Sequence, residues 1–353
     1  MSIGWKKKLL LGPEDLPPSR DGWEVVGAFN PGAALVGGKV VLLVRVAERP
    51  CLSRPGWVAL PRWDAANGPT VDWAAQDAVE PVDPRVVRIR STGLVRLTFV
   101  SHLRVVWCGD GRTVEPGDAA RFCPHAEYEE YGVEDPRITR IGDRFWITYV
   151  AVSRHGAATA LASTRDFRAF QRHGIIFPPE NKDVVLLSEA IGGRYAALHR
   201  PNPATPFSTP AMWMAWSHDL IHWGGHEPLF AGTRAWENGR VGAGAPPLRV
   251  ADGWLEIYHG NRRPGAAGEV GRYQAAAMLL DSANPARVLR TSGRPILEPT
   301  ESFEREGFVP DVVFPTGIVE RGDRLLVYYG AGDKYTAVAE ALKHELIKSL
   351  AEA

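Results

Sequence analysis

Apolar and polar positions alternate along most of this chain, in short runs broken by Gly or Asp-Gly. Five stretches carry the alternation most clearly: Phe29–Arg45, Asp135–Ser153, Leu186–Pro201, Ala245–Gly260 and Phe314–Gly330. Each reads as strand, tight turn, strand, the signature of a β-hairpin. Shorter hairpin patterns at Val105–Val114, Ala160–Gly174 and Met214–His226 follow some of them. Two hairpins make a four-stranded sheet, and such sheets repeated along a chain predict propeller blades. The expected fold is all-β, a five-bladed β-propeller filling residues 1–335 as one domain. A further copy, Asp83–Ser101, resembles Asp135–Ser153 and reads as a sixth blade or as an elaboration of the first, with five the preferred count. The period changes at the end of the chain. Val338, Leu342, Leu346 and Leu350 recur at helical spacing among strong helix formers, which predicts a C-terminal α-helix over 336–353. Its apolar stripe must pack on the propeller or on a second subunit.

Composition narrows the function classes. Lys+Arg 41 balances Asp+Glu 41, so the chain lacks the basic surplus that nucleic acid or an anionic membrane surface would require. No apolar run has the length of a signal peptide or a membrane span, and a soluble cytoplasmic protein is expected. Three cysteines, Cys51, Cys108 and Cys123, form no disulfide framework. Gly 36 and Pro 28 suit many tight turns. Twelve Trp serve first as core packing and secondarily as platforms for sugar rings.

The inner strand ends of a propeller converge, so polar residues near the ends of the repeated phrase are the candidate site: Asn30, Glu134, Asp135, His199, Arg200, His259 and Asp333. Asp135 precedes Pro136, which is expected to hold it extended. A carboxylate on such a stiff turn serves as a general acid, or only caps the turn. Lys182, Arg200, Arg240 and His259 come from the middle repeats, and a group of cations with an imidazole suits a tetrahedral oxyanion. A nucleophile elbow, a P-loop and a zinc-protease helix are all missing, and Cys123 with His125 is too small a set for zinc.

Four phrases taken in order, GVEDPR (Gly132–Arg137), WENGRVGAGAPP (Trp236–Pro247), EREGFVPDVVFP (Glu304–Pro315) and YYGAGD (Tyr328–Asp333), resemble glycoside hydrolase family 130, the β-mannoside phosphorylases and their hydrolytic relatives. The resemblance runs from Phe29 to about Ala337. It implies a five-bladed propeller without metal or cofactor, with inorganic phosphate as co-substrate. It implies that Asp135 is the general acid, acting through a hydroxyl of the bound mannose, and that Lys182, Arg200, Arg240 and His259 hold phosphate. Asp311, inside the third phrase, joins Asn30, Glu134, His199 and Asp333 as a candidate substrate contact. The reaction so implied is inverting phosphorolysis of β-mannosides to α-mannose 1-phosphate. Phosphate is then the nucleophile and needs positioning and charge balance rather than a base. Two rivals remain at this level. In a hydrolase on the same fold, Glu237 or Asp311 would activate a water, its carboxyl standing roughly 6.5–9.5 Å from that of the acid. In a carbohydrate-binding propeller, Asp135 would be a turn residue only. The stretch Glu48–Gln76 and the Asp83 copy depart from the family pattern, near where acceptor recognition would be decided. The C-terminal stripe and the oligomeric habit of the family make a homo-oligomer a further expectation.

Overall fold

In a computed structural model the described residues are 3–117, 120–203, 205, 207–263, 265 and 269–352. The chain is all-β, and the five hairpins expected from the alternation are present. The hairpins begin with strands Trp23–Val36, Gly132–Ile141, Asn181–Leu186, Arg240–Val250 and Val313–Arg321. Each of these leads an antiparallel sheet. The second sheet continues through Arg144–Ser153 and Gly156–Thr164 to Gln171–Phe177, the third through Tyr195–Pro201 and Met212–Ser217 to Gly224–Phe230. The fourth continues through Gly253–Asn261 and Tyr273–Leu280 to Val288–Thr291, with Ala351–Glu352 added at its edge. The first, Trp23–Val36 with Lys39–Pro50, Val100–Cys108 and Arg121–Phe122, touches the second through one parallel pairing, Gly132 with Ser101.

The fifth sheet joins the two ends of the chain. Val313–Arg321, Arg324–Ala331 and Tyr335–Leu342 are followed by Lys6–Leu11, which pairs antiparallel with Tyr335–Leu342. The C-terminal helix expected over 336–353 is thus corrected: its first residues are a strand, and the helix is only Lys343–Lys348. The segment TAVAEAL is rich in helix formers, but five of the eight residues of Tyr335–Leu342 are buried, four of them Ala or Val, between two pairing partners. Pairing on both edges overrides helix propensity, which is a weak preference. The boundary drawn at 335/336 therefore falls inside a sheet. Of the expected stripe, Val338, Leu346 and Leu350 are buried against this chain's own sheets, and Leu342 is half-buried.

The Asp83 copy builds no four-stranded sheet. Between the second and third strands of the first sheet the chain makes a hairpin, Trp57–Asp64 with Gly68–Ala75, and a small sheet of Val79–Asp83, Val86–Ile89 and Val95–Leu97. It is an elaboration of the first sheet, and it reaches inward.

Apolar clusters lie between sheets. Val41 and Leu43 meet Ile147 and Tyr149 between the first and second sheets. Leu161 and Phe177 meet Val184 and Leu186 between the second and third, and Leu198 and Met214 meet Tyr258 and Met278 between the third and fourth. Leu255 and Ile257 meet Leu325 and Tyr329 between the fourth and fifth, and Leu326 and Val338 meet Leu42 and Val44 between the fifth and first. The leading strands also neighbour one another in this cyclic order, Val313–Arg321 lying beside Trp23–Val36. No helix among the described residues is long and apolar enough to cross a membrane.

Candidate active site

All five leading strands carry a register irregularity at a corresponding place: Phe29/Gly32, Glu134/Arg137, Lys182/Val185, Ala243/Ala245 and Pro315/Gly317. A bulge bends the strand and re-aims its side chains. At three of these places the residue is an Asn or Asp with left-handed backbone: Asn30 at φ +49°, Asp135 at +48° and Asp183 at +56°. Asn and Asp tolerate this region better than other non-glycine residues. Asp135 is therefore not extended before Pro136, as expected from the sequence, but turned left-handed by the bulge.

These three bulges open onto one cavity of about 330 Å³. Asp135 lies in its wall, buried, and its Oδ1 accepts bonds from Asn30 Nδ2 at 2.8 Å and Arg45 Nη1 at 2.9 Å. Arg45 also donates from Nη2 to Glu134 Oε1 at 2.6 Å and from Nε to Ser101 Oγ at 3.1 Å, and it rests over the Phe29 ring. Burial pushes the Asp135 carboxyl up, but Arg45, Arg137, the Asn30 bond and Lys182 outweigh it and hold it below the usual carboxylate range. Asp333, also left-handed at φ +49°, lines the same cavity with the opposite outcome. Burial raises its carboxyl, Arg85 and Arg45 only partly offset this, and the charge of Asp135 adds to the rise.

Across the cavity stand Lys182, Arg200 and Arg240. Lys182 Nζ is 4.0 Å from Glu134 Oε2. Arg200 donates from Nε to Asp183 Oδ2 at 2.6 Å and from Nη1 to Asn202 Oδ1. Asp183 also accepts from Arg137 Nη2 at 3.2 Å. Burial pushes the Asp183 carboxyl up, but Arg200, His259 and Arg137 hold it well below the usual range, so it is a permanent counter-ion.

Three expected residues are elsewhere. His259 is fully buried behind Asp183, with Nε2 3.3 Å from Asp183 Oδ2, and burial keeps it neutral by lowering its pKa. His199 points to the other side of its strand, stacks on Phe177 and bonds Asn181 and His226, and burial with His226 lowers it to about 3. Asp311 lines a separate cavity of about 400 Å³ with Pro84 and Arg272. Glu237, weighed as a hydrolytic base, is fully buried and bonded to Tyr258 Oη and Arg234 Nη1, both at 3.0 Å. Among the described residues no Trp lines the Asp135 cavity; its aromatic walls are Phe29, Phe99, Tyr273, Phe308 and Phe314. No group of three or more His, Cys, Asp or Glu is placed to hold a metal among the described residues.

The sequence reading missed Arg45, Arg85 and Asp183. Arg45 had a signal: it is a charge inside the apolar run Val40–Ala47, and a cation buried there must be paired. Arg85 comes from the elaboration of the first sheet, and its signal was the copy Asp83-Pro84-Arg85 of Asp135-Pro136-Arg137.

A family profile described as beta-1,4-mannooligosaccharide phosphorylase matches residues 108–352. A beta-1,2-mannobiose phosphorylase of Listeria innocua is 38% identical, covering 98% of this chain and 97% of that protein. A 1,2-beta-oligomannan phosphorylase of Thermoanaerobacter sp. is 34% identical over 68% of this chain and 78% of its own length. The solved structure of beta-1,2-mannobiose phosphorylase from Listeria innocua, in complex with beta-1,2-mannobiose, superposes with a TM-score of 0.91 at 37% identity, covering 98% of this chain and 99% of that one.

Proposed function

Because the chain belongs to glycoside hydrolase family 130, we propose that it cleaves β-mannosidic bonds by inverting phosphorolysis, with β-1,2-mannobiose as its substrate. The observation that carries this reading is the placement of Lys182, Arg200 and Arg240 on the cavity that holds Asp135. Three cations facing a carboxylate across a small cavity suit a phosphate beside a sugar. Neither carboxylate considered as a hydrolytic base, Glu237 or Asp311, faces that cavity.

A phosphate oxygen bonds to mannosyl C1 on the face opposite the leaving oxygen. The C1–O bond breaks with its electron pair, and a proton originating at Asp135 reaches the departing oxygen. The products are α-mannose 1-phosphate and the released sugar. Asp135 must be protonated to act, yet the cations around it favour its ionised form in the empty site. Phosphate beside Lys182 and Arg200 neutralises part of that field, and a bound sugar excludes water; both raise the carboxyl toward a working acid. Asn30, Glu134 and Asp333 supply polar contacts for the mannosyl unit, and the phenylalanines cover its apolar face. His259 acts behind Asp183 and Arg200.

The five sheets, with apolar clusters between successive neighbours in a cycle, support a five-bladed propeller in which these strand ends converge. A charged sugar phosphate is retained by a membrane, and three free cysteines suit a reducing compartment, which supports a cytoplasmic site of action. The test is to incubate the protein with β-1,2-mannobiose with and without phosphate. α-Mannose 1-phosphate is expected, with no cleavage when phosphate is left out. Equal mannose release without phosphate would replace this reading with hydrolysis.

A further inference from the structure

The elaboration at 57–97 lies outside the stretch matched by the family profile, 108–352, yet it contributes Arg85, Val86 and Leu97 to the cavity wall. Arg85 is its one cation in that wall, and its position is built. Asp83 accepts from the Arg85 backbone N at 2.8 Å, from Nη2 at 3.0 Å and from Nε at 3.3 Å. The Arg85 carbonyl accepts from Thr98 N at 2.9 Å. Held in this way, Arg85 donates from Nη1 to Asp333 Oδ2 at 3.2 Å.

We propose that Arg85 is a positioning residue: anchored by Asp83, it keeps Asp333 ionised and aimed, so that the free Oδ1 accepts hydroxyls of the mannosyl unit. This deepens the functional reading above and rests on it. Asp333 needs such help. It is buried, its backbone is left-handed, and the groups facing it are Arg85 from the elaboration, Arg45 from Lys39–Pro50 and Asp135 from Gly132–Ile141, with Asp83 and Tyr273 reaching it through Arg85. Arg45 is already shared between Glu134 and Asp135. Without Arg85, burial and the Asp135 charge act on Asp333 with no dedicated cation, and it takes up a proton. A protonated Asp333 spends one oxygen as a donor and loses its grip as a double acceptor. The sign follows: Asp333 works above its pKa, and removing Arg85 raises that pKa, so activity is lost at higher pH than in the wild type.

The test compares wild type with Arg85→Ala, Arg85→Lys and Asp83→Asn, using β-1,2-mannobiose and inorganic phosphate. Arg85→Ala should raise the mannobiose KM about tenfold or more, the loss of one charge-assisted bond, while the phosphate KM stays within about twofold. The acid limb of its pH profile should move upward, Arg85→Lys should restore part of both effects, and Asp83→Asn should reproduce them weakly. Adding Arg85→Ala to Asp333→Asn should cost nothing more. Unchanged mannobiose KM and acid limb in folded Arg85→Ala, or an equal loss of phosphate affinity, would overturn the proposal. If wild type shows no phosphorolysis, the functional reading fails, and the Arg85 proposal is then decided by carboxyl NMR titration. There Asp333, assigned by its loss in Asp333→Asn, must titrate higher in Arg85→Ala than in wild type.

Discussion

Asp135 meets Asn30, Arg45 and the cavity at once because its backbone is left-handed, and this places it between a donor that aims it and cations that charge it. Asp135→Asn should cut turnover by roughly 10²–10⁴-fold with little loss of folding, read as kcat at saturating mannobiose and phosphate; a variant with more than half the wild-type rate would take Asp135 out of the reaction. Two glycines in the family phrases separate the two halves of the site. A Cβ on Gly330 would lie 1.7 Å from Asn30 Oδ1, and one on Gly242 would lie 2.4 Å from Asp183 Oδ2 and 2.9 Å from Arg200 Nε. Gly330→Ala should therefore lower kcat while sparing the phosphate KM. Gly242→Ala should raise the phosphate KM, each by about tenfold or more, since small misplacements of catalytic groups are costly. Identical kinetic profiles for the two variants would count against the division. Asn30, Asp135, Arg200 and Asp333 were legible because they lie in or beside the repeated phrase, and Lys182 and Arg240 because they are cations of the middle repeats. His199 was misread because neighbours on a regular strand face opposite ways, and Arg200 takes the inward face. Glu134 and Asp135 both reach the cavity because a bulge suspends that alternation, and a bulge leaves little trace in sequence.

At the scale of elements, the hairpins were readable from alternation and Gly turns, whereas the third strand of the fifth sheet was not. Tyr335–Leu342 is buried on both faces and carries Ala, Glu and Leu, so its period is ambiguous and only its pairing partners decide it. One partner, Lys6–Leu11, is fixed by a nearly buried ion pair: Lys7 Nζ donates to both Glu304 oxygens at 2.8 Å, to Thr300 Oγ1 at 3.0 Å and to Glu298 O at 2.6 Å. Glu304 is fully buried and also accepts from Tyr329 Oη at 2.7 Å. Removing the cation leaves that carboxylate without its counter-charge, which typically costs about 3 kcal/mol. Lys7→Ala should lower Tm by several degrees without changing the KM for either substrate, as thermal denaturation and kinetics would show. An unaltered Tm would mean that the strand is held by its backbone pairing alone.

For the molecule as a whole, charge is balanced overall and unevenly divided at the cavity, where cations of the first, third and fourth sheets meet carboxylates of the second, third and fifth. Asp135 sits below the usual carboxylate range in the empty site, so it is ionised near neutral pH, and an arriving anion should raise it. Phosphate binding by the wild type should then take up more protons than binding by Asp135→Asn, measured by calorimetry in buffers of different ionisation enthalpy. Equal proton counts would show that phosphate and Asp135 do not sense each other. The pairing of Lys6–Leu11 with Tyr335–Leu342 bears on how the protein is made. During synthesis Lys6–Leu11 has no partner until Tyr335–Leu342, more than 300 residues later, follows it. Lys6–Leu11 must wait unpaired while the other four sheets are made, a long-range step of the kind that slows folding and exposes a strand edge to other chains. A permuted gene that places residues 3–12 directly after Tyr335–Leu342 would turn this distant encounter into a local turn.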